Sequence, residues 1–141
     1  MTTTSAPEIA RGVARALTGM GFAPLAEFPL ANGRRADVAA VDHRGLCVIV
    51  EVKASRADFL ADRKWPDYLA YCDAFYFAVA PGFPLDLLPA TEGLIVADRF
   101  AGEVVRPAPL RPLTAARRKA LLIRFARTGA WRLQGMLDPE P

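Results

Sequence analysis

The sequence is poor in the residues on which many catalytic and metal sites depend. Its 141 residues include one histidine, His43, and two cysteines, Cys47 and Cys72. Neither cysteine belongs to a CxxC pair, and one histidine is too few for a Cys/His zinc site. The same shortage argues against a histidine-based catalytic triad. We therefore predict that both cysteines are reduced and buried, as is usual in a cytoplasmic protein.

Long apolar runs are also absent. No stretch approaches the roughly 18 apolar residues of a membrane span, and the first residues lack the basic and apolar regions of a secretory signal. A GxxxxGK loop is missing too, so no nucleotide cofactor is expected. These features predict a soluble, cytoplasmic protein with one domain over residues 7–134, preceded by a tail at 1–6 and followed by a tail at 135–141.

Acidic residues are missing from one basic segment near the end of the chain. Between residues 111 and 132 there are six arginines and one lysine but no Asp or Glu, and the whole chain has a net charge of +3. The simplest reading is a solvated helix face, but a face without acids favours contact with phosphate groups. Because no helix-turn-helix, zinc-finger or RNA-binding signature is present, we predict non-specific or structure-selective binding.

Hydrophobic periodicity predicts the element order α-β-β-β-α-β-β-β-α. A first helix is expected from Pro7 to Met20, and a last helix from Ala115 to Thr128 or as far as Trp131. The middle helix, Ser55 to Tyr71, contains Pro66, which should bend it or split it in two. The predicted fold class is therefore α/β, with a central mixed sheet flanked by helices.

Ionisable residues stand in two of the predicted strands, Asp37 to Asp42 and Leu46 to Lys53. If the turn between them is a three-residue loop with Gly45 in the left-handed conformation, Asp37 lies opposite Glu51. Lys53, two residues further on, then points to the same face of the sheet. A two-residue loop would instead place Asp37 and Glu51 on opposite faces. The loop length thus decides whether the three charges meet.

Two neighbouring carboxylates repel each other unless one is protonated or a cation lies between them. A hard divalent cation such as Mg²⁺ is bound by one or two carboxylates together with water and phosphate oxygens. A lysine beside such a pair can orient a water molecule and neutralise developing charge on phosphorus. The pattern D-x13-E-x-K therefore contains the parts for metal-assisted phosphodiester hydrolysis, although unrelated charges at two strand ends would give the same pattern.

The string EVKASRADFLADRKWPDYLAYCDAFYFAV closely resembles the MmcB-like family of bacterial DNA-repair proteins. This resemblance to the MmcB-like family extends over roughly Ala26–Leu133, and more distantly the chain resembles the PD-(D/E)XK nuclease superfamily. The resemblance implies that Asp37 is the metal-binding aspartate, Glu51 the acidic residue of (D/E)xK and Lys53 its lysine. The chain departs from the superfamily pattern at Ala36, where a proline is expected.

The resemblance also implies a restriction-endonuclease-like domain and a DNA-repair protein that cuts DNA with Mg²⁺ or Mn²⁺. The alternative is a repair module that keeps the fold and binds DNA or a partner without cutting. The sequence has no feature that would recognise the 2′-hydroxyl group of RNA, so it does not exclude RNA as the substrate. Many nucleases of this fold are dimers, and a homodimer stays open as well.

Two further glutamates are candidates for the site. Glu27 lies beside Asp37 if the turn ANG is a three-residue loop, whereas a two-residue loop puts Phe28 there. Some superfamily members use a glutamate from the first helix, and Glu8 is the only candidate in that position. Glu8 is better explained as a residue that stabilises the helix start.

The segment after Lys53 supplies the supporting residues. An acidic pair four residues apart, Asp58 and Asp62, either stabilises its own helix or supports the site, and the resemblance favours support. Trp65 and Tyr68 either stack on bases or belong to the core. The predicted supporting residues are Asp58, Asp62, Lys64 and Tyr68. The predicted nucleic-acid contacts are Arg34, Arg35, Arg56, Arg63, Trp65, Arg117, Arg118, Lys119 and Arg124.

Overall fold

Six strands lie side by side in chain order in one mixed sheet of this computed structural model, which describes residues 3–140. The strands are β1 (Ala23–Pro29), β2 (Arg35–Val41), β3 (Cys47–Lys53), β4 (Ala74–Val79), β5 (Gly93–Ala97) and β6 (Gly102–Arg106). Strands β3, β4 and β5 are parallel, and the other neighbouring pairs are antiparallel.

Helices flank this sheet on both faces. The α-helices within residues 3–140 are α1 (Ala6–Gly19), α2 (Arg56–Ala61) and α3 (Ala115–Leu137). The predicted α/β class and the order of the elements are confirmed, and Cys47 and Cys72 are buried free thiols, as expected. The outermost residues of the two predicted tails, Met1, Thr2 and Pro141, lie outside the described residues.

Helix α1 covers one face of the sheet. Ser5 and Glu8 form a capping box, in which each side chain accepts a hydrogen bond from the other residue's backbone N–H, at 3.3 and 3.0 Å. Glu8 therefore stabilises the helix start. Ile9, Val13 and Leu17 are buried in a cluster with valines and alanines of the central strands.

Helices α2 and α3 and the 3₁₀ segment Trp65–Tyr71 cover the opposite face. Phe75 and Phe77 of β4 are fully buried there. The Trp65 ring stacks on Phe75 with centroids 5.7 Å apart and meets Phe77 edge-on at 5.1 Å. Trp65 is thus a packing aromatic, which was the alternative to base stacking.

The predicted helix from Ser55 to Tyr71 is split in two. Helix α2 ends at Ala61, the backbone of the next residue, Asp62, has left the helical region (φ −87°, ψ 105°), and the 3₁₀ segment starts with Trp65 and Pro66. Asp62 Oδ1 accepts hydrogen bonds from the N–H groups of Lys64 and Trp65. Because Pro66 has no N–H to continue the helix, the break falls here. It leaves Asp62 at the junction, close to the end of β3.

Helix α3 is longer than predicted. It continues to Leu137, past Thr128 and Trp131, so the predicted C-terminal tail begins as helix. No proline interrupts it, and Gly129 and Gly135 each cost only about 1 kcal/mol relative to alanine. None of the helices within residues 3–140 has both the length and the apolar character needed to cross a bilayer.

A buried ion pair attaches the start of α3 to the sheet. Asp73, only 2% exposed, accepts hydrogen bonds from Arg118 at 2.6 and 2.7 Å and from the N–H groups of Cys47 and Leu113. Arg118 also donates to the carbonyl of Gly45. A desolvated carboxylate needs such a counter-charge. Arg118 therefore has a structural role, and we leave it out of any proposed nucleic-acid surface.

Candidate active site

The strand register brings the predicted charges together. Ala39 of β2 pairs with Ile49 of β3, and the same register places Asp37 opposite Glu51. Gly45 has a φ of +82°, and its N–H closes the turn on the carbonyl of residue 42. The three-residue loop that the sequence predicted is thus confirmed.

Asp37 and Glu51 are interlocked through the backbone. The Asp37 N–H donates to Glu51 Oε1 at 3.1 Å, and the Val52 N–H donates to Asp37 Oδ2 at 2.8 Å. Glu51 is 6% exposed and Asp37 is half-buried. Each carboxylate therefore has one oxygen oriented by a backbone N–H in a site that is largely withdrawn from water.

Burial and mutual repulsion raise the proton affinity of this carboxylate pair. Burial, followed by the charge of Asp37, raises the pKa of Glu51 to about 8. Burial also raises the pKa of Asp37 above its usual value, against the hydrogen bond from Val52 and the nearby charge of Lys53. At neutral pH the pair thus needs either a shared proton or a cation.

Lys53 lies beside this pair and is held by Asp62. Its Nζ donates to Asp62 Oδ2 at 2.6 Å, and the Lys53 side chain is only 6% exposed. Burial would raise the pKa of Asp62, but the hydrogen bonds from Lys53 and from two backbone N–H groups outweigh it and lower the pKa. Asp62 was predicted to support the site, and the structure places it in direct contact with Lys53.

The other predicted supporting residues differ in what they contact. Tyr68 Oη donates to the carbonyl of Arg35 at 3.0 Å and so ties the 3₁₀ segment to the start of β2. Burial and then the charges of Glu51 and Asp37 raise the pKa of Tyr68 to about 12. Asp58 is exposed and accepts from the N–H of the residue after β3, at 3.1 Å.

Lys64 contributes only a local contact. Its backbone N–H donates to Asp62, and the residue as a whole is exposed. It therefore supports the position of Asp62 through the backbone.

Glu27 is placed opposite Asp37 by the register but does not join the carboxylate pair. Its φ is +48°, and its side chain is 69% exposed with a carboxylate oxygen 3.8 Å from Arg35. Within residues 3–140 no group of three or more acidic, histidine or cysteine side chains is placed to hold a metal ion. The left-handed backbone redirects the side chain of Glu27, so we do not count it among the metal ligands.

The arginines and lysines that were predicted to contact nucleic acid lie in different surroundings. Arg34 pairs with Asp67 at 3.0 Å, and Arg35 lies near Glu27. Both precede Asp37 by no more than three residues in the chain. Three others, Arg56, Arg63 and Lys119, are exposed.

A groove runs along α3, and two more of the predicted basic residues line it. Its volume is about 1140 Å³, and its walls include Arg117 and Arg124, as predicted. It also contains Tyr71, Arg127 and Trp131, which were not predicted as functional residues. The i,i+4 spacing of Arg127 and Trp131 on an acid-free helix is the sequence signal that could have found them.

The carboxylate pair has a donor set that fits a hard divalent cation. Mg²⁺ uses one or two carboxylates and completes its coordination with water and substrate oxygens. Asp37 and Glu51 provide two such carboxylates, and burial raises the pKa of both, so a cation between them would offset the cost of ionising them there. The residues present therefore fit the predicted Mg²⁺ or Mn²⁺ ion.

These features define an α/β protein with a buried carboxylate pair and a lysine at the end of one sheet face. The chain belongs to the MmcB-like family of DNA repair proteins, whose family model matches residues 2–140. It is similar to a solved structure of a protein of unknown function from Silicibacter pomeroyi, with 45% identity, coverage of 99% of this chain and 94% of that chain, and a TM-score of 0.92. No curated protein matches the chain significantly.

Proposed function

We propose that this protein is a metal-dependent nuclease that hydrolyses DNA phosphodiester bonds during repair. The observation that carries the proposal is the buried, interlocked pair of Asp37 and Glu51 with Lys53 beside it. Asp37 and Glu51 would hold Mg²⁺ or Mn²⁺. When bound, such a cation supplies positive charge for the phosphate and lowers the pKa of a water molecule.

The protein's own groups prepare the site for this chemistry. The backbone N–H groups of Asp37 and Val52 each orient one carboxylate oxygen, so little reorganisation is needed when a cation binds. Lys53 would orient the attacking water and stabilise negative charge that develops on the phosphate. Its contact with Asp62 fixes the position of the ammonium group on one side.

DNA is the proposed substrate because of the family and the surface. The family is one of DNA repair proteins, and the chain is basic overall, with a net charge of +3. Arg34 and Arg35 stand two or three residues before Asp37, where they can contact phosphate groups. The order Asp37, Glu51, Lys53 also resembles that of PD-(D/E)XK nucleases, which supports placing the chain with them.

Cleavage assays test this proposal directly. Labelled single-stranded, duplex, flapped and branched DNA, with an RNA of matching sequence, are incubated with Mg²⁺, Mn²⁺ or EDTA. We expect cutting that needs the metal and is lost in Asp37→Asn and Lys53→Ala. Asp86→Asn is the matched control, because Asp86 is exposed in the loop after β4.

One observation favours the non-catalytic alternative. Lys53 is paired with Asp62 at 2.6 Å, and within residues 3–140 no third acidic side chain is placed to hold a metal ion together with Asp37 and Glu51. If DNA binds but is not cut under any condition, and the variants bind as the wild type does, the nuclease proposal is wrong. The protein would then be a binding module of the repair machinery with the same fold.

A further inference from the structure

The groove along α3 lies on the same sheet face as the carboxylate pair. Asp37 and Ala39 are two residues apart on β2, so their side chains point to the same face of the sheet. Ala39 belongs to the buried cluster that includes Leu121 of α3. One wall of the groove contains Pro29 and Ala31, which precede β2. The turn that leads into β2 and Asp37 therefore forms part of the groove wall.

Arginine–aromatic pairs stand at two places along this groove. The Arg117 guanidinium lies 4.9 Å from the ring centre of Tyr71, and that of Arg127 lies 4.5 Å from the ring centre of Trp131. Arg117 and Trp131 are 14 residues apart, which is about 21 Å along a helix. Trp131 is 63% exposed, so one face of its ring is available.

The charge of the groove has a single sign. Besides the two paired arginines, its walls include Arg124 and Arg132, and none of the described wall residues is acidic. Arg132 donates to the carbonyls of Ala26 and Glu27, which are uncharged acceptors. The rest of the α3 wall is largely apolar and includes Ala116, Ala120 and Ile123.

We propose that this groove binds a single-stranded nucleic acid, with its phosphates on the arginines and a base on Trp131. A positive groove that follows the backbone, with aromatic rings on which bases stack, is the general form of single-strand binding sites. The inference rests on the proposed function in that it takes a nucleic acid as the substrate, and it names the form of that substrate. The strand would lead from α3 past the hairpin towards Asp37.

Charge distinguishes this occupant from a second copy of the chain. An isologous dimer through the groove would bring Arg124 and Arg127 of both copies together with no acidic partner on the described walls. A phosphate backbone instead neutralises them and releases counterions. The end of α3 also exposes apolar residues, among them Leu133 and Met136. The experiment therefore includes association with another protein chain as one of its outcomes.

Binding is measured in EDTA, so that the result does not depend on cleavage. A labelled oligothymidylate is titrated with protein and followed by fluorescence anisotropy, and the tryptophan emission is recorded in parallel. The chain has two tryptophans, and Trp65 is packed in the core, so quenching by a stacked base reports on Trp131. We expect Trp131→Ala to weaken binding about tenfold and Trp131→Phe to remove the quenching with a smaller loss.

The contribution of the arginines is measured separately, through the salt dependence of binding. The combined Arg124→Ala and Arg127→Ala variant should weaken binding and lower the slope of log K against log salt by about 0.7 for each phosphate that the protein no longer neutralises. Matched controls are Arg11→Ala and Phe100→Ala: Arg11 is exposed on α1, and Phe100 is 61% exposed near that helix. Both controls should bind as the wild type does.

The proposal is overturned if the groove variants bind as the controls do, or if duplex DNA binds as tightly as the single strand. It is also overturned if sedimentation shows a dimer that Trp131→Ala dissociates while the oligonucleotide does not bind. Failure here with cleavage retained would leave the proposed nuclease function intact. Binding in the groove without cleavage would support this inference and contradict the nuclease.

Discussion

Lys53, the last residue of β3, donates a 2.6 Å hydrogen bond to Asp62, the residue that directly follows α2. This contact exists because the helix after β3 is only six residues long and breaks before Pro66. A continuous helix would have used the Asp62 backbone in its hydrogen-bonding pattern and carried the side chain elsewhere. The same break therefore terminates the helix and holds the ammonium group beside Asp37 and Glu51.

We expect Asp62→Asn to lower the free energy of unfolding by about 2 kcal/mol, because it leaves Lys53 buried without its strongest partner. The effect is smaller than for an isolated buried pair, since the carboxylates of Asp37 and Glu51 lie close enough to compensate part of it. Urea unfolding at pH 7 measures the change. Asp67→Asn is the control: Asp67 pairs with Arg34 at the surface, and its replacement should cost less than about 1 kcal/mol. Equal destabilisation in the two variants would contradict the prediction.

The carboxylate pair should make stability fall as the pH rises. The pKa of Glu51 is about 8 in the folded protein and near the ordinary 4.5 when unfolded, so the folded state binds more protons between these values. The stabilising contribution is complete below the unfolded pKa and is lost as the pH passes through the folded pKa. Unfolding of wild type and Glu51→Gln from pH 4.5 to 8.5 tests this. The variant should lose most of the decline, and a parallel decline in both proteins would refute the assignment.

Addition of Mg²⁺ or Mn²⁺ should raise the thermal stability, and more at pH 8 than at pH 6, because protons compete for the same oxygens. A ligand at 100 times its Kd adds about 2.7 kcal/mol to the stability of a protein that binds it only when folded. Asp37→Asn and Glu51→Gln should each abolish the shift, while Asp86→Asn should retain it. If the shift persists in both site variants, the metal binds elsewhere.

Neighbouring basic residues on α3 should behave differently when replaced. Arg118→Ala leaves the buried carboxylate of Asp73 without its counter-charge and should cost about 3 kcal/mol. Lys119→Ala alters an exposed residue and should change stability by less than about 0.5 kcal/mol. Urea unfolding of both variants separates the two cases. Similar values for the pair would mean that the internal role given to Arg118 is wrong.

Much of the site could be predicted because short-range rules govern it. The turn between β2 and β3 needs a glycine at its left-handed position, and Gly45 supplied that signal, which set the register of Asp37 against Glu51. The outcome for Glu27 could not be predicted in this way. Its place in the register followed from the turn before β2, but no local pattern marks its positive φ, and its carbonyl accepts a hydrogen bond from Arg132, more than 100 residues away in the chain.

The basic segment, residues 111–132, also has one property that the sequence predicts and another that only the packing of the fold decides. That the segment lacks acids is evident from the sequence, but which arginines are available is not. Arg118 faces Asp73 inside the fold, whereas Arg124 and Arg127 face the groove, and this difference depends on how α3 crosses the sheet. Likewise, Trp65 became a packing residue and Trp131 an exposed one because only the former has β4 beneath it.

By itself, the sequence determined the α/β class, the element order and, through the turn at Gly45, the meeting of Asp37 with Glu51. Periodicity, turn chemistry and cross-strand pairing act over a few residues, and they can be read from local patterns. Only the tertiary structure decided the partner of Lys53, the exclusion of Glu27 from the carboxylate pair and the composition of the groove. These depend on contacts between distant segments, where burial and competing charges select one partner among several.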